Sequence, residues 1–200
     1  EGYSAILDAS ESEAGDEELA GEGAIPWPDR GPIEAPTEGV LATPALADLD
    51  GDGLLDVVVA TVRGSVLAWS VSGDLLPGFP VGVDPDNSLF TSPSVKVERG
   101  FMGSPAIEDM DGDGDWEIVA AAMDGYTYMW HHDGTSVDGW PVPVVSLGPA
   151  SNPLNRVVSS PAVGDINGDG LMDVVVGSNE AASSQYALMF AIHGDGLAHD

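Results

Sequence analysis

The 200-residue chain contains no cysteine. It therefore has no disulfide framework, no thiolate nucleophile and no cysteine-based zinc site. Basic residues are nearly as scarce: Lys and Arg total 5 against 34 Asp and Glu, a formal charge of −29. Nucleic acid is excluded as an expected partner, because phosphate recognition needs clustered Lys and Arg. Anionic membrane surfaces are disfavoured for the same reason. No apolar run approaches the roughly 18 residues of a membrane span, so no membrane insertion is expected. No window shows sustained helical periodicity. There is no Gly-x-Ser-x-Gly elbow, no His-Glu-x-x-His and no phosphate loop, so the chain reads as non-enzymatic. Of its four histidines, His131, His132, His193 and His199, the first three read as solvated residues of the turn after strand three, with a pH- or metal-related role as the lesser alternative.

What is abundant is glycine (26), proline (15) and apolar residues (43%). That combination describes a folded core with many turns and few helices. The chain opens Glu1-Gly2-Tyr3, without Met, basic segment or apolar signal core, which reads as a mature product or an internal fragment. Self-similarity is the dominant signal. Thr43-Pro-Ala-Leu-Ala-Asp48-Leu-Asp50-Gly-Asp52-Gly-Leu-Leu-Asp56 recurs as Ser104-Pro-Ala…Glu117 and Ser160-Pro-Ala…Asp173, with the first aspartates 61 and 56 residues apart. A Gly-aromatic-Pro anchor trails the first two copies at Gly78-Phe79-Pro80 and Gly139-Trp140-Pro141, and Ile25-Pro26-Trp27-Pro28 resembles it.

Each copy predicts four short antiparallel strands. The first covers 40–46, 101–107 and 157–163. The second is the nearly continuous apolar run 56–61, 117–122 and 173–177, the pattern of a strand buried on both faces. The third, 65–70, 126–130 and 186–192, follows a tight turn such as Arg63-Gly64 or Asp124-Gly125. The fourth is expected to carry the aromatic-Pro anchor. Four short strands per repeat is a propeller blade. The predicted organisation is therefore all-β. Residues 1–28 form the C-terminal part of a preceding blade, with an acidic insertion at 10–22. Blade 1 covers 40–81 and blade 2 covers 101–143. A connector spans 144–156, and blade 3 covers 157–200 without its last strand. Such a segment reads as an incomplete propeller that needs further blades. The aromatics Trp69, Tyr126, Tyr128, Trp130 and Phe190 are expected between blades, with stacking on sugar rings as the alternative.

The repeated loop reads Asp-x-(Asp/Asn)-Gly-Asp-Gly-x-x-(Asp/Glu). Oxygen-bearing side chains at positions 1, 3 and 5 can converge if the backbone curls, and the glycines at 4 and 6 permit that curl. Position 7 would add a carbonyl and position 9 a last carboxylate. An all-oxygen shell suits a hard cation, and flexible geometry favours Ca²⁺ over Mg²⁺. Three Ca²⁺ sites are expected. The first uses Asp48, Asp50, Asp52, Asp56 and the Leu54 carbonyl. The second uses Asp109, Asp111, Asp113, Glu117 and the Asp115 carbonyl. The third uses Asp165, Asn167, Asp169, Asp173 and the Leu171 carbonyl. The competing reading is a plain hydrophilic turn, since Asp-Gly pairs form turns without metal. An EF-hand is excluded, because position 12 is Val59, Ala120 or Val176 inside a β-rich run rather than Glu before a helix.

These segments resemble the FG-GAP (VCBS-type) repeats of integrin α-subunit propellers and their bacterial relatives. The closest match is Asp165-Ile-Asn167-Gly-Asp169-Gly-Leu-Met-Asp173-Val-Val-Val-Gly177, and the trailing Gly-aromatic-Pro is similar to bacterial members. The resemblance implies a propeller and calcium loops, and Glu117 departs from it by one methylene. The expected function is a calcium-stabilised extracellular or cell-surface module, periplasmic and outer-membrane settings included. It would bind an extracellular protein or glycan. The alternative is an accessory part of a secreted polysaccharide-active enzyme or peptidase whose catalytic residues lie outside this chain.

Overall fold

A computed structural model describes residues 39–84, 100–144, 156–157, 159–179 and 188–197, and these contain twelve strands and no helix. The preceding half-blade 1–28, its insertion and nearly all of the connector fall outside the described residues. The first sheet is β1 (Ala45–Ala47), β2 (Asp56–Ala60), β3 (Ser65–Trp69) and β4 (Val81–Gly82), in that spatial order. The second is β5 (Ala106–Glu108), β6 (Glu117–Ala121), β7 (Tyr126–His131) and β8 (Val142–Pro143), again in order. The third runs β10 (Ala162–Gly164), β11 (Asp173–Asn179) and β12 (Met189–His193), while β9 (Arg156–Val157) pairs with the far end of β11. All pairs are antiparallel, and the register repeats: Ala45 faces Val58, Ala106 faces Val119 and Ala162 faces Val175. Among the described residues no strand follows β12.

Two expectations are corrected. The first strand starts later than 40, 101 or 157, because Pro44, Pro105 and Pro161 bring no N–H to a ladder. Residues upstream of each proline pair separately with the end of strand two. Val62 N donates to the Gly39 carbonyl at 2.9 Å, Phe101 bridges Ala122, and β9 meets Ser178 and Asn179. The aromatic-Pro anchor is not on strand four but in the turn before it. Phe79 N bonds the Leu76 carbonyl at 3.2 Å and Trp140 N the Val137 carbonyl at 3.1 Å, so β4 and β8 begin after the prolines.

The core lies between the sheets, which stand side by side with β5 next to both β1 and β10. Alternation along strands two and three assigns the faces. Blade 1 sends Val58, Ala60, Val66 and Ala68 into the same cluster as Ile118, Ala120, Tyr128 and Trp130 of blade 2. Blade 2 in turn sends Val119, Ala121 and Met129 against Val174, Val176 and Ile192 of blade 3. One face of blade 2 is thus bulky and the other slimmer. Tyr128 stacks on Trp130 at 5.5 Å between centroids, and Phe101 meets both rings edge-on at 6.2 and 6.3 Å. Tyr126, Tyr128, Trp130 and Phe190 are therefore inter-blade core, whereas Trp69 packs with Val59 and Leu67 of its own blade. Each such buried side chain contributes about 1.5–3 kcal/mol.

Two further links recur at both interfaces. Thr43 N donates to Ser104 Oγ, and Ser104 N to Ser160 Oγ, both at 2.9 Å. This explains the repeated Ser/Thr before Pro-Ala. Gly78 abuts the Asp133 carbonyl and Gly139 the Asp195 carbonyl so closely that a Cβ could not fit. At the second interface Trp140 Nε1 also donates to the Gly194 carbonyl at 2.8 Å.

Candidate metal centres

Each Asp-Gly loop joins strands one and two of its blade, so its ends are fixed by the sheet. The glycines at positions 4 and 6 adopt positive φ, for example 76° at Gly51 and 87° at Gly53, which L side chains rarely tolerate. The position-1 carboxylate sits inside the resulting curl and accepts backbone N–H groups. Asp48 Oδ2 takes Gly53 N at 2.9 Å. Asp109 takes Gly112 N at 2.7 Å and Gly114 N at 3.1 Å. Asp165 takes Gly168 N at 2.6 Å and Gly170 N at 2.9 Å. Positions 3 and 5 form Asx turns. Asp50, Asp111 and Asn167 each accept from the residue two further on, as do Asp52, Asp113 and Asp169. The donors in the last three are the N–H groups of Leu54, Asp115 and Leu171, the residues whose carbonyls the sequence proposes as ligands.

The position-9 carboxylate opens strand two and is buried: Asp56, Glu117 and Asp173 are 1%, 1% and 0% exposed. Each accepts a backbone N–H from inside its loop: Leu49 at 2.8 Å, Met110 at 2.8 Å and Ile166 at 3.0 Å. Burial pushes the Asp56 carboxyl above its ordinary range against the Leu49 N–H, and the Asp50 charge adds to the rise. Burial likewise raises Glu117, opposed by the Met110 N–H and His131. A cation would favour the ionised forms instead.

The structure brings carboxylate oxygens of Asp48, Asp50 and Asp56 within 4.8 Å of one another, and likewise those of Asp109, Asp111 and Asp113. A third group joins Asp111 and Glu117 to a ring nitrogen of His131. Asp52 is outside the first of these groups. At site three the amide of Asn167 donates to Asp169 Oδ2 at 2.8 Å. These acidic groups can hold a metal ion. The donor set fits one: Asp48 Oδ1 is a buried atom without a hydrogen-bond partner, and a buried carboxylate oxygen left so is costly unless a cation or water meets it.

The sequence reading missed the histidines. His131 Nδ1 lies 3.0 Å from Glu117 Oε1 and His193 Nδ1 lies 3.1 Å from Asp173 Oδ1. Folding the hairpin about Asp124-Gly125 brings 131 opposite 117, a signal that was present. It also missed Asp124. Its buried carboxylate accepts Tyr128 Oη at 2.6 Å and Tyr126 N at 2.9 Å.

Residues 109–176 match the FG-GAP-like repeat family. No curated protein matches the chain. The C-terminal domain of Pseudomonas aeruginosa PilY1 is similar in structure at 14% identity and a TM-score of 0.50, over 79% of this chain and 39% of that one. BBS1N, solved in complex with ARL6DN, shares 12% identity at a TM-score of 0.49, over 82% of this chain and 45% of that one. The chain thus spans less than half of either structure. At that identity the PilY1 likeness speaks to fold alone. Together with the three sheets, it makes this chain an all-β, incomplete propeller whose residues 109–176 match the FG-GAP-like repeat.

Proposed function

We propose that the chain is a calcium-stabilised part of a larger β-propeller that works outside the cell as a non-catalytic binding or adhesion module. The observation that carries the calcium reading is the buried, unpartnered Asp48 Oδ1 beside Asp50 and Asp56, in a loop that recurs twice more. The ion would be held by Asp48, Asp50, Asp52 and Asp56, by Asp109, Asp111, Asp113 and Glu117, and by Asp165, Asn167, Asp169 and Asp173. The carbonyls of Leu54, Asp115 and Leu171 complete the sets. Calcium supplies no reaction here: it neutralises clustered carboxylates and locks the turn between strands one and two. Sites of roughly 10⁻⁴–10⁻³ M affinity, typical of extracellular modules, fill outside cells and stay empty in a cytosol.

The interaction role rests on the FG-GAP-like match and the propeller likeness. The partner that completes the ring is a further blade of the same repeat. The face of blade 1 that holds Val58 and Ala68 is covered by blade 2, and the corresponding face of blade 3, with Val175 and Ala191, carries Met189 at 77% exposure. Calorimetric titration with CaCl₂, paired with thermal melts in calcium and in EDTA, tests the calcium reading. Three sites and a calcium-dependent rise in Tm are expected, and superimposable melts of the folded protein reject it. Retention on intact cells in calcium but not in EDTA tests the adhesive role.

A further inference from the structure

We propose that His131 and His193 are positioning residues that hold the last carboxylate of loops two and three ready for a cation, and that loop one lacks this brace. The inference rests on the calcium reading above and assigns the unequal behaviour of its sites to particular side chains.

The β-ladder places the histidines. Glu117 is the register partner of His131, and Asp173 of His193. Each carboxylate is all but fully buried, while each imidazole is 30% exposed. An ionised carboxylate only accepts, so the contacting Nδ1 carries the hydrogen. Each carboxylate therefore has a donor on each of its two oxygens. Glu117 has Met110 N–H at 2.8 Å on Oε2 and His131 Nδ1 at 3.0 Å on Oε1. Asp173 has Ile166 N–H at 3.0 Å on Oδ2 and His193 Nδ1 at 3.1 Å on Oδ1. Two donors, one from the loop and one from strand three, fix the plane of the carboxyl group and leave its remaining lone pairs to a cation. For Glu117 this matters most, because its side chain has one more rotatable bond to order.

In loop one the ladder between strands two and three ends at Val57 and Trp69, and the residues one step beyond it are Asp56 and Ser70. Ser70 Oγ instead bonds Ser72 Oγ at 2.9 Å, so Asp56 is held by backbone N–H groups of its own loop, Leu49 on Oδ2 at 2.8 Å and Asp50, with no side chain from strand three. Two effects of a brace oppose each other. A donor draws charge from the oxygen and weakens it as a ligand, but orientation spares the ordering cost on binding. Outer-shell partners of this kind are worth roughly 10–100-fold in metal affinity when removed, so orientation wins.

The test is calorimetric titration with CaCl₂ at fixed neutral pH of the wild-type chain, His131→Ala, His131→Asn and His193→Ala. The amide Nδ2 of Asn can stand where the imidazole Nδ1 stands. His131→Ala is expected to weaken one of three sites by roughly 10–100-fold and leave the other two unchanged, and His131→Asn to restore most of the loss. His193→Ala should weaken a different single site. An unchanged titration of both alanine variants overturns the proposal, as does uniform weakening of all three sites, which marks general loosening, or a failure of Asn to rescue. No heat of binding from the wild-type chain overturns the calcium reading itself, and so separates the two failures.

Discussion

Blades 1 and 2 share one backbone and differ in what they do with it. Their strands pair in the same register, their loops curl through the same positive-φ glycines, and both close strand three with a Gly turn. The side chains at three matched places differ. Blade 1 has Asp56 opposite Ser70, Arg63 at the tight turn and Leu67 behind it. Blade 2 has Glu117 opposite His131, with Asp124 holding Tyr128. The repeat thus fixes the path of the chain through glycine and the apolar runs. Site geometry and interface polarity are left to positions that the repeat does not constrain. Variation at those positions gives neighbouring blades separate properties without altering the fold.

The largest expected effect comes from removing calcium, which acts on both blades. Saturation at a hundredfold excess over Kd stabilises by about 2.7 kcal/mol per site, or about 8 kcal/mol for three. Breaking one loop at a time sharpens the comparison. Asp48→Ala and Asp109→Ala should each remove one site from a calcium titration. Ion-free, Asp109→Ala should be the more harmful, because Asp109 accepts two loop N–H groups and Asp48 one. Each such bond is worth about 1.5–3 kcal/mol when the acceptor is charged. Equal ion-free Tm values for the two variants would contradict the comparison. So would retention of all three sites.

The next effect is specific to blade 2 and depends on pH. Burial pushes the Tyr128 hydroxyl well above its ordinary value of 10.0, and the Asp124 carboxylate adds to the rise by charge and hydrogen bond. A folded-state value above the unfolded one means stability is intact below pH 10 and falls as pH climbs past it, because only the unfolded chain loses the proton. The slope is about 1.4 kcal/mol per pH unit above 10. Tyr128→Phe should cost about 1–3 kcal/mol at pH 8 and flatten that alkaline slope. Leu67→Phe in blade 1 should leave the slope in place. Chemical melts between pH 8 and 11.5 decide this, and an unchanged slope in Tyr128→Phe would exclude Tyr128 as its source.

The features the sequence makes legible are those set by local rules. Strands two and three follow from apolar runs bounded by Gly turns, and the curled loops follow from alternating acids and glycines. The start of strand one and the placement of the anchor were misjudged, because one proline's missing N–H and one turn outweigh β-propensity over a few residues. The His–carboxylate pairs escaped for another reason. They join residues 14 and 20 apart in sequence, and only the ladder register brings them together. In blade 3 the long stretch between β11 and β12 prevents counting back from a turn. The Ser/Thr stitch spans 61 and 56 residues, so a single repeat gives no hint of it.

That stitch supports a smaller prediction. Ser104→Ala removes the acceptor of Thr43 N–H and should cost about 0.5–1.5 kcal/mol, as should Ser160→Ala for Ser104 N–H. The bonds are equal in length and both exposed, so the two variants should lower Tm alike despite their different interfaces. A cost confined to one of them would mean that the two interfaces do not share this link.

The smallest effect expected is at Asp195, which sits in an Asp-Gly pair as the loop acids do. Among the described residues its carboxylate serves only the turn after β12, where Oδ1 accepts Leu197 N–H at 3.0 Å. The matching Asp133 in blade 2 accepts both the N–H and the hydroxyl of Thr135, at 2.9 and 2.6 Å. That hydroxyl bond, more than the N–H, holds the Asp133 carboxyl below its ordinary range. Neither turn has the flanking acids two residues away that help curl a chain around an ion, and of Gly194 and Gly196 beside Asp195 only Gly196 takes positive φ. Asp195→Ala should therefore cost no more than about 1 kcal/mol and leave the calcium stoichiometry at three. Asp133→Ala should cost slightly more, because two bonds go instead of one. Loss of a calcium site on Asp195→Ala would show that an Asp-Gly pair alone suffices to bind, and the distinction between curled loop and plain turn would collapse.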